Sequence, residues 1–349
     1  MLRRQDRQAP APAPIAAPGR RCPLSYRYGA EELNRPPAFR AETVYVIGGL
    51  YGNPEALDTI LAMAAGEKGD VRLIFNGDFN WFNAEPDDMR LINEAVLAHT
   101  AIRGNVESEM TAREDGAADC GCNYPPYVSD ETVTRSNEIM ARLRVTARLF
   151  PELSRRLAAL PRFMTVAVGS ARVGILHGDP ESLAGWSFAV EALAPADREL
   201  RARLGCSALA LTPATTVARW FRAAKVRVFA CTHTCLPFAQ DFMVDGALHL
   251  VINNGSAGMS NFAGSGYGVM TRISANPEPP SASLYGIRLE GGLRCDALAV
   301  VFSSRRWLAR FLCRWPAGSA AYVSYFERLT NGPPFHLQQA ARRRVALTR

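Results

Sequence analysis

The amino-acid sequence predicts a layered α/β fold, and three observations support this prediction. The chain has 349 residues, of which 48% are hydrophobic and 21% are charged, so it can bury a sizeable core without disulfide support. Between residues 43 and 105, short apolar runs alternate three times with loops and amphipathic stretches, which is typical of strands and helices in layers. Each apolar run ends in polar residues, at the positions where loops of α/β sheets carry ligands.

The predicted elements follow one another without an internal repeat. Thr43–Ile47 is a β-branched run typical of a buried strand, and Asn53 followed by Pro54 is typical of a helix start. The remaining pattern predicts strands at 71–75, 101–103, 163–168, 172–176, 226–231, 248–252, 268–274 and 284–289, and helices at 86–99, 131–160 (interrupted by Pro151), 213–224 and 304–313.

Composition divides the chain into one domain between two tails. The Pro-, Ala- and Arg-rich start and the basic end are expected to be disordered, because neither can bury much apolar surface. The predicted boundaries are a tail at 1–40, a domain at 41–315 with helical insertions at about 108–165 and 180–211, a C-terminal extension of the domain at 316–335, and a basic tail at 336–349.

The net charge of +7 lies at the ends of the chain, because residues 1–21 and 340–349 each carry a net +4. The body between them is close to neutral, so no specific nucleic-acid partner is predicted. No apolar run is long enough for a secretory signal or a membrane span, and we expect a cytoplasmic protein without a membrane partner. The eight cysteines lack the spacing of a disulfide framework and would be thiols in the cytoplasm.

Four potential metal ligands stand directly after predicted strands. One is a carboxylate, one an amide and two are imidazoles, a set that suits a borderline divalent metal such as Mn, Fe or Zn. Each residue alone is a weak signal, since an Asp after Gly is commonly a turn residue and a single His is commonly structural. These four residues, called the quartet below, are Asp78, Asn105, His177 and His233.

The order of motifs along the chain resembles the calcineurin-like metallophosphoesterase family, in particular its small prokaryotic phosphodiesterase-like branch. The resemblance covers roughly residues 43–300 and implies two packed β-sheets flanked by helices, with a helical insertion. The segments that carry it are Ile47-Gly-Gly-Leu-Tyr-Gly-Asn53, Gly77-Asp78, Arg103-Gly-Asn-Val-Glu107, His177-Gly-Asp179, Thr232-His-Thr-Cys235 and Asn253-Asn-Gly-Ser256.

The resemblance implies a site for two metals bridged by Asp78. The quartet supplies the ligands of the second metal, and Asp78, Asn105 and His177 are the expected catalytic residues. The first metal's ligands are changed, because the family's opening Asp-x-His is Gly49-Leu50-Tyr51 and its last His is Cys235. An Asp often present after the bridge is Trp81, and the His after the motif Asn is Val106.

Two interpretations of these changes stay open. Tyr51 and Cys235 could ligate a first metal as phenolate and thiolate, with Cys120 and Cys122 reaching the same space, or these side chains could only pack. We therefore expect one divalent transition metal (Mn, Fe or Zn), with two as the alternative.

Several further polar residues are expected around the metal. Asp179 could orient an imidazole, Asn80 could donate a hydrogen bond near the bridge, and Asn253 and Ser256 could position backbone at the site. The aromatic residues of the insertions, Tyr124, Tyr127, Trp186 and Phe188, are interpreted mainly as core.

The function favoured by these residues is metal-dependent hydrolysis of a phosphomonoester or phosphodiester, with a small-molecule phosphoester as partner. A degenerate, non-catalytic scaffold with this fold and a single-metal or redox-sensitive binding protein are the alternatives. Retention of all four ligands of one metal favours the hydrolase. Substrate identity and oligomeric state are open.

Overall fold

The computed structural model describes residues 17–112 and 119–342. Within these ranges the strands are β1 (Arg40–Ala41), β2 (Thr43–Ile47), β3 (Val71–Asn76), β4 (Thr100–Ile102), β5 (Phe163–Val168), β6 (Ala171–Leu176), β7 (Val228–Cys231), β8 (Phe238–Val244), β9 (Ala247–Asn253), β10 (Gly268–Ser274), β11 (Ser283–Arg288) and β12 (Arg294–Val300). The α-helices are α1 (Pro54–Gly66), α2 (Pro86–Val96), α3 (Asn105–Met110), α4 (Asp130–Ala147), α5 (Pro151–Ala158), α6 (Arg198–Arg203), α7 (Ala214–Ala224), α8 (Ser304–Arg314), α9 (Ala320–Asn331) and α10 (Leu337–Ala340).

Two six-stranded sheets form the body, and the layered α/β prediction is confirmed. The first sheet has the order β1-β5-β6-β7-β9-β8, and the second has the order β11-β12-β10-β2-β3-β4. In the second sheet β2, β3 and β4 are parallel neighbours, and in the first sheet β6, β7 and β9 are. Each sheet therefore directs three successive strand ends toward one edge.

The second sheet is buried on both faces, which explains the continuous apolar runs of its parallel strands. In β2, Val44 and Val46 pack in the core shared with the first sheet, whereas Tyr45 and Ile47 pack against the outer helices. This alternation follows the two-residue period of a strand. Asn53 caps α1 as predicted, because its side chain accepts a hydrogen bond from the Ala56 N–H.

Most predicted strands and helices are present, with ends shifted by a few residues. The pattern missed β8, the first strand of a hairpin with β9, and β12, the second strand of a hairpin with β11, and it missed the helix α9. The helix predicted over 131–160 is two helices, α4 and α5, which are separated before Pro151.

The predicted N-terminal tail needs a correction, because the chain packs on the body from residue 17. Tyr26 and Leu33 are buried in the core, and the Tyr26 hydroxyl donates to Glu109. At the other end, Leu337–Ala340 is helical and Arg342 donates to the carbonyl of Val190. Residues 1–16 and 343–349 of the two predicted tails lie outside the described residues.

In the described parts of the chain, every helix is too short or too polar to cross a lipid bilayer.

One buried ion pair links the second sheet to α1. Arg272 lies in the middle of β10 with a 2% exposed side chain, and it donates two hydrogen bonds to Glu67 at the end of α1. Tyr45, the register partner of Arg272 on β2, donates to the same carboxylate at 2.6 Å. The hydrogen bonds from Arg272, together with that from Tyr45, lower the pKa of Glu67 below its usual value.

We expect Glu67→Gln to lower the free energy of unfolding by about 2 to 3 kcal/mol at neutral pH, because it leaves the Arg272 guanidinium buried without its counter-charge. The folded-state pKa of Glu67 is depressed, so the stabilisation is present above the usual carboxyl pKa of 4.5 and is lost as pH falls through the folded value. The gap between wild type and variant should therefore narrow in acid, as measured by urea denaturation.

The matched control is Glu290→Gln. Glu290 pairs with Arg227 through a side chain that is 60% exposed, so its loss should change stability by less than about 0.5 kcal/mol. Equal losses for the two variants at neutral pH would contradict the buried-pair interpretation.

Candidate metal centre

The quartet lies where strand ends of the two sheets meet. Asp78 follows β3 and Asn105 begins α3 after β4, so both come from the second sheet. His177 follows β6 and His233 follows β7, so both come from the first sheet. Asn76 joins the sheets at this point, because its side-chain amide donates to the carbonyl of Leu176. Four residues separated by up to 155 positions are thus brought to one place.

The ligand atoms of the quartet converge on the Nε2 atom of His177. The Asp78 Oδ2 atom lies 3.3 Å from it, the Asn105 Oδ1 atom 3.1 Å and the His233 Nδ1 atom 3.3 Å. The carboxylate and the two imidazoles offer one ligand atom each within 4.8 Å of one another. All four residues are buried, so water screens these atoms little.

Backbone carbonyls fix the tautomer of each imidazole. The Nδ1 atom of His177 lies 2.8 Å from the carbonyl oxygen of Asn76, and the Nε2 atom of His233 lies 3.0 Å from that of Cys122. A carbonyl oxygen only accepts, so each of these nitrogens must carry the proton. The opposite nitrogens, which face the centre of the quartet, therefore present lone pairs in the neutral rings.

Four acceptor atoms thus face one another with too few protons to satisfy them. Burial opposes protonation of His177, but the adjoining Asp78 carboxylate outweighs it and raises the pKa of His177. Burial lowers the pKa of His233 to about 4, which keeps that ring neutral. One added proton on His177 can satisfy one acceptor only, whereas a divalent cation would satisfy all four. The donor set therefore fits a borderline transition metal.

The turn that presents Asp78 depends on two glycines. Gly77 and Asp78 both have a positive φ, at 76° and 55°. A Cβ atom at Gly77 would lie 2.5 Å from the backbone nitrogen of Gly104, and one at Gly104 would lie 2.2 Å from the Asp78 carboxylate. The motif glycines are needed because the ends of β3 and β4 approach each other this closely.

Glu107 is a site residue that the sequence argument did not single out. Its Oε2 atom accepts from the backbone N–H groups of Asp78 at 2.8 Å and Gly104 at 3.0 Å, and its Oε1 atom accepts from Asn80. Burial raises the pKa of Glu107 to about 7, with the Asp78 carboxylate adding to the shift. The signal was available, since an acidic residue at the third position of a helix commonly caps its start.

Asn80 acts through Glu107, to which its side chain is hydrogen-bonded. Its amide group donates to Glu107 and to Asn93, while its oxygen accepts from Asn83 and Asn93. The expected hydrogen bond near the bridge is therefore made to the residue that holds the Asp78 backbone.

The Cys120-Gly-Cys122 turn reaches the site. The contacts that orient side chains of the quartet are made by the backbone carbonyls of this turn. The carbonyl of Cys120 accepts from the Asn105 amide at 2.9 Å, which turns the Asn105 oxygen toward His177. The carbonyl of Cys122 accepts from His233 and from the Trp186 indole. The Cys122 sulfur lies 3.6 Å from the Asn105 amide nitrogen, and burial raises the pKa of this thiol.

The positions that the resemblance assigns to a first metal are packed against one another. The Tyr51 hydroxyl lies 2.6 Å from the Cys235 sulfur, and a Cβ atom at Gly49 would lie 2.4 Å from the Tyr51 ring. Burial raises the pKa of Tyr51, and it raises the pKa of Cys235 to about 11. Both groups are therefore protonated in the metal-free protein, and the direct contact between them favours the packing interpretation over a phenolate–thiolate metal site.

The other predicted polar residues divide into two groups. The Asp179 carboxylate accepts from the backbone N–H groups of Glu181, Ser182 and Ser187, so its expected part in orienting an imidazole is corrected: the Asn76 and Cys122 carbonyls do this. Asn253 donates to Thr234 beside His233, and Ser256 donates to the carbonyl of Gly49, so both hold backbone near the site.

A cavity of about 150 Å³ opens beside the quartet. Tyr124 and Trp186 line it, and Tyr124 also packs against the core, whereas Phe188 is buried within the core. Tyr325 and Arg328 of α9, the helix that the pattern missed, also line it. Its lining residues are Tyr51, Asp78, Trp81, Asn105, Val106, Cys122, Tyr124, Trp186, His233, Thr234, Cys235, Tyr325 and Arg328.

Comparisons with known proteins rest on structure, since neither a family model nor a curated protein matches the sequence. A hypothetical protein from Pyrococcus horikoshii OT3 is 14% identical, with a TM-score of 0.53 over 84% of this chain and 99% of that one. A metallophosphoesterase from Sphaerobacter thermophilus is 17% identical, with a TM-score of 0.48 over 84% and 100%. A protein serine/threonine phosphatase from Saccharomyces cerevisiae is 15% identical, with a TM-score of 0.39 over 78% and 88%.

The chain shares the fold of the Pyrococcus horikoshii protein, with two packed six-stranded sheets flanked by helices. The two packed sheets flanked by helices that the ordered motifs predicted are confirmed.

We expect Glu107→Gln to weaken metal binding by about 10-fold, because the new amide has one oxygen where Glu107 uses two: its NH2 group must oppose either the Asn80 amide or the backbone N–H groups of Asp78 and Gly104, which displaces the turn. The measurement is competition with a metal-sensitive dye on the folded protein. Glu109→Gln, on the same helix but bonded to Tyr26 and Arg144, is the control and should bind metal like the wild type. Equal affinity of the Glu107 variant and the control would refute this role for Glu107.

Cys235→His alone should leave the metal content per chain unchanged. Residue 49 supplies no carboxylate and the Tyr51 ring occupies the space beside it, so a single added imidazole at residue 235 would lack the partner ligands that a second metal needs. Elemental analysis after incubation with excess Mn checks this. A second equivalent of metal in the single variant would show that the packed positions can still open.

Proposed function

We propose that the chain hydrolyses a phosphate ester, using a single divalent transition metal held by the quartet. The observation that carries the proposal is the convergence of four lone-pair donors around the Nε2 atom of His177 with a shortage of protons. Mn, Fe and Zn suit this set of one carboxylate, one amide and two imidazoles.

The residues of the chain would hold and shield this centre. Asp78 contributes the one negative charge of the quartet, and the neutral imidazoles and the amide complete the ligand set. When bound, such a metal supplies an activated water and polarises a phosphoryl oxygen. Tyr124 and Trp186 wall the cavity with aromatic surface, which keeps bulk water from the reacting group.

The cavity supports a small phosphoester as substrate. At about 150 Å³ it is smaller than the few hundred Å³ typical of sites that enclose a whole ligand, so it suits a phosphoryl group whose ester substituent extends outward. Hydrolysis forms one bond from water oxygen to phosphorus and breaks the ester P–O bond. The leaving alkoxide takes up the proton that the attacking water loses, and this balance holds for a monoester and for a diester.

The free thiols of the structure support a reducing compartment such as the cytoplasm, because all eight cysteines are unpaired and seven of them are at least partly buried.

A non-catalytic metal-binding protein is the second candidate. The packing of Tyr51 on Cys235 favours it, because this contact removes the place for a second metal and with it part of the charge that stabilises a phosphoryl transition state. This candidate predicts a bound metal with no hydrolysis of any phosphoester.

The decisive variants are Asp78→Asn and His177→Ala. Each should reduce bound metal, and each should lower the hydrolysis of p-nitrophenyl phosphate or bis(p-nitrophenyl) phosphate by about 100-fold or more, because each removes a ligand. Metal content is measured by elemental analysis after purification with Mn, and folding is checked by circular dichroism.

His249→Ala is the matched control, since His249 lies on β9 and its ring contacts Phe221 away from the quartet. It should keep both metal and activity. A folded wild-type protein that takes up no Mn, Fe or Zn would contradict the proposal. A metal-loaded protein that hydrolyses neither substrate would establish the second candidate.

A further inference from the structure

Arg328 is a positively charged residue in the wall of the candidate site. It lies on α9 and lines the same cavity as Asp78 and His233. Its Nη2 atom donates to the carbonyl of Cys235 at 3.1 Å, and its Nε atom donates to the carbonyl of Ser260 at 3.3 Å. These two contacts fix the guanidinium plane beside the loop that presents His233.

Both of these partners are neutral carbonyls, so they orient the guanidinium without neutralising it. The charge of Arg328 acts on the cavity wall, where it opposes the rise in pKa that burial causes in Tyr51, Cys235 and Tyr325. A guanidinium has five N–H donors in a planar fork. The two hydrogen bonds described here use the Nε and one Nη2 proton, and a phosphate oxygen pair matches the geometry of such a fork.

A hydroxyl donor lies in the same wall. Thr234 lines the cavity one residue after His233, and its oxygen accepts from the Asn253 amide. Because that contact uses a lone pair of the oxygen, the Thr234 proton is available to an acceptor in the cavity.

We propose that Arg328 binds the phosphoryl group of the substrate and supplies the second positive charge of the site, at the side where Tyr51 and Cys235 leave no room for a second metal. The inference rests on the proposed function, since it concerns the same cavity. It makes the site a pairing of one metal with one guanidinium, and it restricts the ligand to an anion with at least two free oxygens, such as a phosphate ester.

The test measures binding of inorganic phosphate by calorimetry to the Mn-loaded and the metal-free protein. We expect Arg328→Gln to weaken phosphate binding on the order of 10- to 100-fold, the effect of losing hydrogen bonds to a charged group. Arg328→Lys should be intermediate, because it keeps the charge but not the fork. Metal content, measured separately, should match that of the wild type in both variants.

Arg305→Gln is the control, because Arg305 is exposed on α8 and its loss changes the net charge equally. The proposal is overturned if Arg328→Gln binds phosphate as tightly as the control. It is also overturned if the variant loses metal and phosphate in parallel, since Arg328 would then only support the His233 loop through Cys235. Failure of the proposed function would give a different result, namely a wild-type protein that binds no metal. Phosphate binding by wild type and Arg328→Gln would still be compared in the metal-free proteins.

Discussion

The structure depends on one electrostatic constraint, the meeting of four buried acceptor atoms where the two sheets join. Buried polar groups without partners are costly, on the order of 1–3 kcal/mol each. Here the fold itself causes this cost in free energy, because the carbonyls of Asn76 and Cys122 turn the imidazole lone pairs toward the centre of the quartet. The sheets hold these strand ends in place from opposite sides, so the acceptors cannot separate to relieve their repulsion. A cation is the simplest group that can satisfy them together.

Whether a feature of the structure could be predicted from the sequence depended on whether side chains or backbone groups produce that feature. Parallel strands such as β2 and β3 gave continuous apolar runs, and the quartet followed them directly, so fold and ligands were recognisable. The strand β8 and the helix α9 were missed because their signals are mixed with partly exposed apolar residues such as Met243 and Val323. The contacts of the Cys120-Gly-Cys122 turn could not be predicted, because they are made by carbonyl groups that every residue has.

Beside the quartet, the positions that the resemblance assigns to a first metal are filled by side chains that fit one another. The ring of Tyr51 fills the space that a side chain at Gly49 would need, and Cys235 packs on the Tyr51 hydroxyl. The side chains at these three positions pack closely together. A substitution at any one of them alone would therefore cause a clash or leave a gap. The packing explains why metal ligands are expected only on the side of the site where the quartet lies.

The brace between the N-terminal segment and the Cys120-Gly-Cys122 turn has a practical consequence. The Gly19 N–H donates to Asp119, the carbonyl of Gly19 accepts from the Tyr124 N–H, and Arg21 pairs with Asp119. The composition of residues 1–40 invites an experimenter to trim them before crystallisation. Cutting after residue 40 would remove the support of the loop that orients Asn105 and His233. A shortened chain could therefore fold and still show no activity in an assay, even if the full chain is active.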